Sequence, residues 1–296
     1  MTKTTTKAAE AAAGCLYVVA TPIGNLEDIT LRALRVLKEA DLIACEDTRQ
    51  TLKLLSHFEI SKRLVSYHEH NELTRAPEIV IELEQGAKVA LVSDAGTPTI
   101  SDPGYRLVHL CLRHGIRVVP VPGASAFVAA LSASGMPIEE FVFAGFLPAR
   151  PTARRKSLRA LGAEPRTLVL YEAPHRLLDT LEDALEILGN RPAAIAREVT
   201  KIYEEFLRGH LEDLVAAVRK KPPRGEITLL IGPPDGQAQH AANQAAKAVA
   251  VPLARRVEEI MAERGADRKA ALKQAARERG LTHREAYKQL LITRDE

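Results

Sequence analysis

Tryptophan is absent from this 296-residue sequence, and aromatic residues make up only 4% of it. Proteins that bind single-stranded nucleic acid through stacked rings depend on such side chains, so stacking is not expected to be the main means of binding. The sequence also lacks both a G-x-G-x-x-G motif and a G-x-x-x-x-G-K-[ST] motif. These absences argue against a dinucleotide-binding fingerprint and against a phosphate-binding loop for nucleoside triphosphates.

Cysteine is scarce, and long apolar runs are missing. Cys15, Cys45 and Cys111 lie far apart without metal-ligand spacing, which is typical of a protein from a reducing cytosol. No run of 18 apolar residues occurs that could cross a membrane. Residues 1–14 have no continuous apolar core, so we interpret them as a disordered leader rather than a signal peptide. The sequence therefore predicts a cytoplasmic protein with no membrane association.

Loops rich in Gly and Pro follow three apolar runs that are typical of buried strands. These loops are TPIGN at 21–25, SDAGTPTISDPG at 93–104 and PGASA at 122–126. In open α/β sheets, ligands bind outside the carboxyl ends of the strands, where such loops converge. We therefore expect one shared ligand crevice rather than three unrelated tight turns.

Strand-like and helix-like segments alternate five times between residues 15 and 135. Strands are predicted at Leu16–Ala20, Asp41–Cys45, Arg63–His68, Lys88–Val92 and Arg117–Val121, with intervening helices at Thr30–Lys38, Thr74–Gln85 and Pro103–His114. Thr74 is the predicted N-cap of its helix. Near-continuous apolar strands separated by helices indicate a parallel sheet covered on both faces.

The pattern changes near Ser134–Pro137, where a block with more strands than helices begins. Strands are predicted at Phe141–Phe146, Thr167–Tyr171, Ala193–Ala196, Glu205–Leu211 and Glu226–Ile231, and helices at Arg155–Leu161, Leu177–Leu188 and Leu211–Val218. The excess of strands indicates a mixed sheet. We therefore expect an α/β fold with a parallel-type domain at 15–135, a second domain at 136–235, and a ligand cleft between them.

The last part of the chain has a different composition. Residues 236–250 lack large side chains and are typical of a linker. Three short helices are predicted after it, at Leu253–Arg264, Arg268–Arg279 and Thr282–Ile292, with Gly265 and Gly280 as stops and a Thr282–Glu285 capping box. Residues 251–296 contain eleven Lys and Arg against eight Asp and Glu, so the whole excess of +3 lies there. This helical unit either contacts a polyanion or is purely structural.

Three polar clusters follow predicted strands near the expected crevice. The first, EDTR at 46–49, contains Arg49, which could bind a phosphate or form an intramolecular ion pair. The second, YHEHNE at 67–72, is expected to bind substrate through hydrogen bonds, because no third ligand completes its His-x-His spacing into a metal site. The third comprises YEAPHR at 171–176 and the nearby Lys201. The alternative for each cluster is an ordinary exposed loop.

Eight motifs resemble the tetrapyrrole methylase family in order and spacing. They are TPIGN, EDTR, SYHEHNE, SDAGTPTISDPGY, VPGASA, GFLP, YEAPHR and GEITLL, and they span about residues 15–235. Members of this family use S-adenosylmethionine (SAM), so the resemblance implies two α/β domains with SAM in the cleft. Corrin methylases of the family have G-D-P where this sequence has Gly96-Thr97-Pro98, a departure that fits a substrate other than a tetrapyrrole.

The resemblance also implies which residues line each site. For SAM they are Pro22, Ile23, Gly24, Asp94, Ala95, Gly96, Thr97, Pro98, Ile100, Gly123, Ala124, Ser125 and Ala126 from the first domain, and Tyr171, Glu172, Ala173, Glu226 and Ile227 from the second. Candidates for substrate contact are Arg49, His68, His70, Asn71, His175, Arg176 and Lys201. No metal is expected.

Within the family, the motifs are most similar to members that methylate ribosomal RNA. This implies methyl transfer from SAM to the ribose 2′-hydroxyl of a cytidine in 16S rRNA of the small ribosomal subunit, by a homodimer. Asp47, His68, Glu69 and Glu172 are the candidate proton acceptors, and the sequence does not choose among them. Two alternatives stay open, a SAM-dependent methylase of a porphyrin or corrin and a non-catalytic RNA-binding accessory. The hydrophilic SYHEHNE segment disfavours the first, and the intact loops disfavour the second.

Overall fold

The computed structural model describes residues 14–234, 253–265, 267–278 and residue 286. The chain forms two compact units, Met1–Gly232 and Pro233–Glu296. Within the described segments, every helix is too short or too polar to span a lipid bilayer. The predicted leader at 1–14, except for Gly14, and the predicted linker at 236–250 lie outside the described residues.

The first sheet is parallel throughout. Its strands are β1 (Cys15–Val19), β2 (Leu42–Cys45), β3 (Arg63–Ser66), β4 (Lys88–Val92) and β5 (Arg117–Val121). They lie in the order β3-β2-β4-β1-β5, and every neighbouring pair is parallel. The three strands that precede the Gly/Pro loops are therefore adjacent. This arrangement confirms the predicted parallel sheet and places the three loops side by side at its carboxyl edge.

Helices cover both faces of this sheet. They are α1 (Leu31–Glu39), α2 (Thr48–His57), α3 (Glu72–Glu84) and α4 (Tyr105–Arg113), and a further helix, α5 (Ala126–Ser134), follows β5. One apolar core joins the sheet to α3 and α4, and a second joins its other face to α1 and α2. Apolar residues on both faces explain why these strands show continuous rather than alternating hydrophobicity.

The second sheet is mixed, as predicted. Its strands are β6 (Phe141–Phe146), β7 (Thr167–Glu172), β8 (Pro192–Arg197), β9 (Glu205–His210) and β10 (Ile227–Ile231), in the order β6-β7-β10-β8-β9. Only β6 and β7 are parallel; the other pairs are antiparallel. Helices α6 (Pro151–Ala160), α7 (Leu177–Leu188) and α8 (Leu211–Lys220) pack on one face. Ala130 and Leu131 of α5, the helix that follows β5, pack on the other face.

Helix boundaries differ from the prediction at several places. Helices α2 and α5 were not predicted, and α3 begins at Glu72 with Asn71 as its N-cap residue. The prediction of Thr74 as the N-cap is wrong, because the Asn71 side chain fixes the preceding turn by accepting from the backbone of His68 at 2.9 Å. Thr74 lies in the first helical turn, where its hydroxyl donates to the Asn71 carbonyl at 2.9 Å.

The C-terminal unit contains helices α9 (Leu253–Arg264) and α10 (Arg268–Glu278). Gly265 adopts a φ of +61° directly after α9, which confirms it as the predicted stop. Asp267 caps α10 by accepting from the backbone of Ala270 at 2.7 Å. The two helices bury a shared apolar core that includes Val257 and Leu272. The predicted third helix, with its capping box and Gly280, lies outside the described residues except for position 286.

Candidate active site

A cavity of about 370 Å³ lies between the carboxyl edge of the first sheet and the second sheet. Its volume lies in the range of pockets that hold small organic ligands, roughly 300–1,000 Å³. Among the described residues, no group of three or more His, Cys, Asp or Glu side chains is arranged to hold a metal ion. The cavity is therefore the candidate for the predicted ligand site.

Hydrogen bonds join the three Gly/Pro loops below the cavity. The backbone amide of Thr21 donates to the Gly96 carbonyl at 2.8 Å, and the Gly96 amide donates back at 3.1 Å. The Thr21 hydroxyl also donates to the Ser93 carbonyl at 3.2 Å. The Thr97 hydroxyl donates to the Ala124 carbonyl at 3.3 Å. The expected convergence of the three loops therefore occurs, and the loops form one hydrogen-bonded floor.

Gly96 and Gly123 have different roles in this floor. Gly96 lines the cavity at a φ of +81°, and a Cβ there would lie 3.3 Å from Ile23 Cγ2. Gly123 lies outside the cavity lining, and a Cβ there would lie 3.0 Å from the Cβ of Ala20. Gly96 thus keeps backbone exposed to a ligand, whereas Gly123 permits close packing against the end of β1.

The structure brings together twelve of the residues assigned to the SAM site. They are Ile23, Ala95, Gly96, Thr97, Ile100, Ser125, Ala126, Tyr171, Glu172, Ala173, Glu226 and Ile227. It places Pro22, Gly24, Asp94, Pro98, Gly123 and Ala124 outside the cavity lining. Sequence reasoning missed Ser101, Asp102, Phe146, Pro174, Ala196, Val199, Gly225 and Thr228, which also line it. Most of these missed residues lie within or beside the recognised motifs, and their closeness to the motifs is the feature of the sequence that could have identified them.

Glu172 is held in a buried polar network at the end of β7. Its side chain has no exposed surface. It accepts from the Ala173 amide at 2.7 Å and from the Thr180 hydroxyl at 2.6 Å. Arg176 Nε lies 3.3 Å from Glu172 Oε1, and Arg176 Nη2 donates to the Leu147 carbonyl at 2.7 Å. Two of the candidates from this motif, Glu172 and Arg176, therefore fix the local structure that carries the cavity wall.

Asp47 and Arg49 form an ion pair with each other at the start of α2. Asp47 accepts from the Arg49 amide at 2.8 Å and from Arg49 Nη2 at 2.7 Å. These bonds lower the pKa of Asp47 to about 2. The Asp47 amide donates to Asp94 Oδ1 at 3.0 Å. Because 86% of the Arg49 side chain is exposed, its guanidinium is paired and yet open to solvent.

The residues of the cluster after β3 have two different roles: Asn71 fixes a turn, and Glu69 lines a second cavity. Asn71 Nδ2 donates to the Ser66 carbonyl at 3.0 Å, and Asn71 Oδ1 holds the His68 amide. The rings of His68 and His70 have centroids 5.9 Å apart. Glu69 lines a second cavity of about 430 Å³. Of the substrate candidates in this cluster, Asn71 is therefore occupied by the turn.

Lys201 connects the second sheet to the loop after β1. Its ammonium group donates to Glu198 at 2.9 Å and to Glu226 at 3.1 Å. Its aliphatic carbons lie against Gly24, where a Cβ would come within 2.4 Å of Lys201 Cγ. His175, the remaining substrate candidate, is exposed. Lys201 is thus paired at the rim of the cavity and fills the space that Gly24 leaves.

Asp102 is the carboxylate in the cavity wall whose charged form is most destabilised by its surroundings. Burial and, to a smaller extent, the carboxylates of Glu46 and Asp94 raise its pKa from 3.8 to about 6. A hydrogen bond with Ser93 partly opposes these effects. Holding Asp102 in its charged form therefore costs stability at neutral pH.

Comparison with known proteins agrees with the geometry. Residues 15–215 match the family described as Tetrapyrrole (Corrin/Porphyrin) Methylases. The chain is 51% identical over 274 residues to Ribosomal RNA small subunit methyltransferase I of Halalkalibacterium halodurans, with 93% of each chain covered. It is 52% identical over 218 residues to the protein of the same name from Thermotoga maritima, with 74% of this chain and 98% of the relative covered.

Solved structures show the same fold. The uroporphyrin-III-C-methyltransferase of Thermus thermophilus superposes with a TM-score of 0.53 at 26% identity, covering 78% of this chain and 98% of that chain. A structure of the Thermus thermophilus enzyme complexed with S-adenyl homocysteine superposes with a TM-score of 0.54 at 24% identity, covering 74% of this chain and 97% of that chain. The two-sheet architecture is therefore shared with methyltransferases of known structure.

We predict that Glu172→Gln destabilises the protein by about 2–4 kcal/mol, because it leaves buried donors and the Arg176 charge without a full partner. Differential scanning calorimetry should show a lower Tm, by about 2–4 °C for each kcal/mol in a chain of this size. The matched control is Glu182→Gln, which alters an exposed pair with Arg219 and should change stability by less than about 0.5 kcal/mol. An unchanged Tm with lost activity would instead support Glu172 as a proton acceptor.

We predict that Asp102→Asn stabilises the protein only above the acid range. Because the folded pKa of Asp102 lies above the unfolded value, stability falls as the pH rises from about 4 to about 6 and stays lower beyond it. The variant should gain about 1–2 kcal/mol at pH 8, after discounting for solvent screening, and gain nothing at pH 3.5. Urea unfolding at both pH values measures the difference, and an equal gain at both would contradict the assignment.

Proposed function

This chain belongs to the tetrapyrrole methylase family, and we propose that it transfers a methyl group from SAM to the ribose 2′-hydroxyl of a cytidine in 16S rRNA. One observation carries the proposal. Six of the eight motifs that resemble this family each contribute a residue to the cavity: TPIGN, SDAGTPTISDPGY, VPGASA, GFLP, YEAPHR and GEITLL. The relatives that share about half of its residues over most of the chain carry the name of a small subunit rRNA methyltransferase.

The volume and the lining chemistry of the cavity support SAM as its ligand. Its wall is mainly apolar, with Ile23, Ile100, Phe146 and Val199 available to an adenine ring. At Gly96 the missing side chain leaves backbone amide and carbonyl groups at the surface of the cavity. Such a wall suits a compact ligand that carries both an apolar ring and charged groups.

When bound, SAM supplies a methyl group on a positively charged sulfur. The chain's own contribution is to align that group with the attacking oxygen, to exclude water, and to receive the proton that the hydroxyl loses. Asp47, His68, Glu69 and Glu172 were the candidates for this last role. The ion pair of Asp47 and the buried network of Glu172 already occupy those two carboxylates.

Further parts of the proposal concern the assembly and its compartment. We propose a homodimer, supported by the family resemblance, and two α/β domains at 15–135 and 136–235, supported by the two separate sheets. We also propose a cytoplasmic location, supported by the three cysteines, all of which are buried free thiols.

The C-terminal unit is proposed to contact ribosomal RNA. Lys269, Lys273 and Arg277 are all exposed, and they follow one another at four-residue spacing on α10. Positions four apart share a helix face, so these side chains form one basic stripe. The opposite side of α10 carries the buried residues Ala271 and Leu272. Arg49, His70 and His175 are the proposed contacts in the first unit.

The reaction is tested by incubating the protein with methyl-tritiated SAM and one of two acceptors: small ribosomal subunits that lack the modification, or uroporphyrinogen III. We expect label in 16S rRNA, located by nuclease digestion at a 2′-O-methylcytidine, and none in the macrocycle. Label in uroporphyrinogen would favour the porphyrin alternative. Absence of label from both, with retained binding to subunits, would favour the accessory alternative.

We predict that Gly96→Val lowers SAM affinity by about 30-fold or more in isothermal titration calorimetry, equivalent to about 2 kcal/mol, because the new side chain fills the cavity wall. The matched control is Gly135→Val. Gly135 has a similar φ of +77°, but a Cβ there has no neighbour within 4 Å, and Gly135 lies outside the cavity lining. Both variants should lose similar stability, and only Gly96→Val should lose SAM. Equal SAM affinity in the two folded variants would remove the proposed cofactor site.

We predict that neutralising the basic stripe with Lys269→Gln, Lys273→Gln and Arg277→Gln weakens binding to small subunits. The slope of log K against log salt should become shallower by about 2, because fewer counterions are released from the RNA. A control that neutralises the exposed cations Arg32, Lys38 and Arg113 carries the same charge change and should leave the slope within about 0.5 of wild type. Equal slopes for the two triple variants would indicate that the C-terminal unit is structural.

A further inference from the structure

Two segments of the second sheet form one hydrogen-bonded ridge beside the cavity proposed for SAM. The ridge consists of residues 198–204, which join β8 to β9, and residues 220–226, which lead from α8 into β10. The Glu198 amide donates to the Glu226 carbonyl at 2.9 Å, and the Glu226 amide donates to Glu198 Oε1 at 2.8 Å. Both segments contribute residues to the lining of that cavity. A ligand that binds to the ridge is therefore held next to the proposed cofactor.

The first segment of the ridge has a strained backbone. Glu198 and Thr200 adopt φ values of +52° and +72°, although neither is glycine. The Thr200 amide donates to Glu204 Oε2 at 2.7 Å, and Lys201 Nζ donates to Glu198 Oε1 at 2.9 Å. Strained conformations persist only where the surroundings enforce them, and they concentrate at functional sites. These bonds thus hold the tip of the segment in one conformation.

The tip of this segment carries two large apolar side chains in solvent. Ile202 is 95% exposed and Tyr203 is 73% exposed. Their exposure means that packing within the chain does not account for them. A planar ring on a rigid tip offers its face to a nucleobase, because stacking on an aromatic side chain accepts any base. Tyr203 therefore provides a stacking surface at the ridge.

The second segment of the ridge carries three unpaired cations. It belongs to the basic run RKKPPRG at 219–225. Lys220, Lys221 and Arg224 are exposed, and none of them forms an ion pair with another residue of the described segments. The two prolines between Lys221 and Arg224 restrict the backbone, so the cations lose less conformational freedom when a ligand binds. The carbonyl of Arg224 is also tied to β8, because it accepts from Arg197 Nη1 at 3.2 Å.

The carboxylates of the ridge and of the adjoining start of β9 do not neutralise these cations. Each carboxylate already accepts a hydrogen bond from another group. The pairs are Glu198 and Glu226 with Lys201, Glu204 with the Thr200 amide, and Glu205 with Arg197. The charge that remains at the surface of the ridge is therefore positive, which favours an anionic partner.

A second copy of this chain suits the ridge less well than a nucleic acid does. A two-fold dimer contact brings the same patch of both subunits together. The unpaired cations of one ridge would then face those of the other, and like charges opposed across an interface disfavour association. A nucleic acid strand supplies negative phosphates to the cations and a base to the aromatic ring. Charge and shape at the ridge therefore favour RNA over a protein partner.

We propose that the ridge binds a single-stranded stretch of ribosomal RNA next to the acceptor nucleotide. Its three unpaired cations contact phosphates of that strand, and Tyr203 stacks on one of its bases. The inference rests on the proposed function, and it identifies an RNA-binding surface separate from the basic stripe of α10. Binding at the ridge fixes the register of the strand relative to the SAM cavity, so its contribution is to substrate affinity and not to the chemical step.

The phosphate contacts are tested by filter binding to small subunits that lack the modification, over a range of salt concentrations. The triple variant Lys220→Gln, Lys221→Gln, Arg224→Gln should have a slope of log K against log salt that is shallower by about 2, since each phosphate of a single strand contributes about 0.7. The matched control neutralises Lys38, Lys88 and Arg113, which are exposed at the opposite, amino edge of the first sheet. Its slope should stay within about 0.5 of wild type. Both variants should keep SAM affinity within about threefold of wild type by calorimetry.

The base contact is tested with Tyr203→Leu, and Tyr203→Phe is its control because it keeps the ring. In single-turnover methylation, Tyr203→Leu should raise the half-saturating concentration of small subunits by about fivefold or more through loss of stacking. Tyr203→Phe should stay within about twofold of wild type. At saturating subunits both variants should keep the wild-type rate within about threefold, because the ring acts on binding and not on the methyl transfer.

Three results would overturn the inference: equal salt slopes for the two triple variants, equal binding of small subunits by Tyr203→Leu and Tyr203→Phe, or a Tyr203→Leu protein that sediments at half the mass of wild type. The last result would assign the ridge to a contact between copies of the chain. Filter binding needs no turnover, so it judges the ridge even if the wild-type protein leaves small subunits unlabelled and the proposed function fails. If the wild-type protein labels them and the variants match their controls, the failure is confined to this inference.

Discussion

Two reciprocal backbone hydrogen bonds between Thr21 and Gly96 determine where the cavity floor lies. They connect the loops after β1 and β4, which are neighbouring parallel strands. The left-handed φ of Gly96 turns the second loop back toward the first. Glycine adopts this backbone conformation at low cost because it has no Cβ. Thr97, the residue after Gly96, then reaches the loop after β5, where its hydroxyl donates to the Ala124 carbonyl. The site therefore depends on backbone geometry more than on any charged contact.

Much of the fold was predictable because each strand is visible in the sequence as a short, mainly apolar run. Strands β4 and β5 match the predicted bounds, and the mixed second sheet followed from a count of strand-like segments. Helix α5 was missed for a physical reason. It packs against the second sheet through Ala130 and Leu131, and its sequence AFVAALSAS is apolar on most sides and lacks the one-sided pattern of a surface helix. Helix α2 was missed because Leu52 is exposed while Thr51 is buried.

The site was predictable as a set of loops but not as a set of roles. Gly and Pro density located the loops, since backbone turns leave a mark in local sequence. The partners of Glu172 could not be derived, because they depend on how α7 places Thr180 and Arg176 against the end of β7. Asp102 was overlooked for a related reason. Its environment arises from Glu46 and Asp94, which lie close only after three segments have folded together.

The contact of Lys201 with Gly24 makes the rim of the cleft sensitive to salt concentration. One side chain joins the second sheet to the loop after β1, with its ammonium group between Glu198 and Glu226. Glu226 is 72% exposed, so mobile ions screen its share of the attraction, over a Debye length of about 8 Å at physiological ionic strength. Added salt thus loosens the rim of the cleft in the free protein. Ionic strength therefore acts on this rim through the Lys201–Glu226 pair, by a route that involves no nucleic acid.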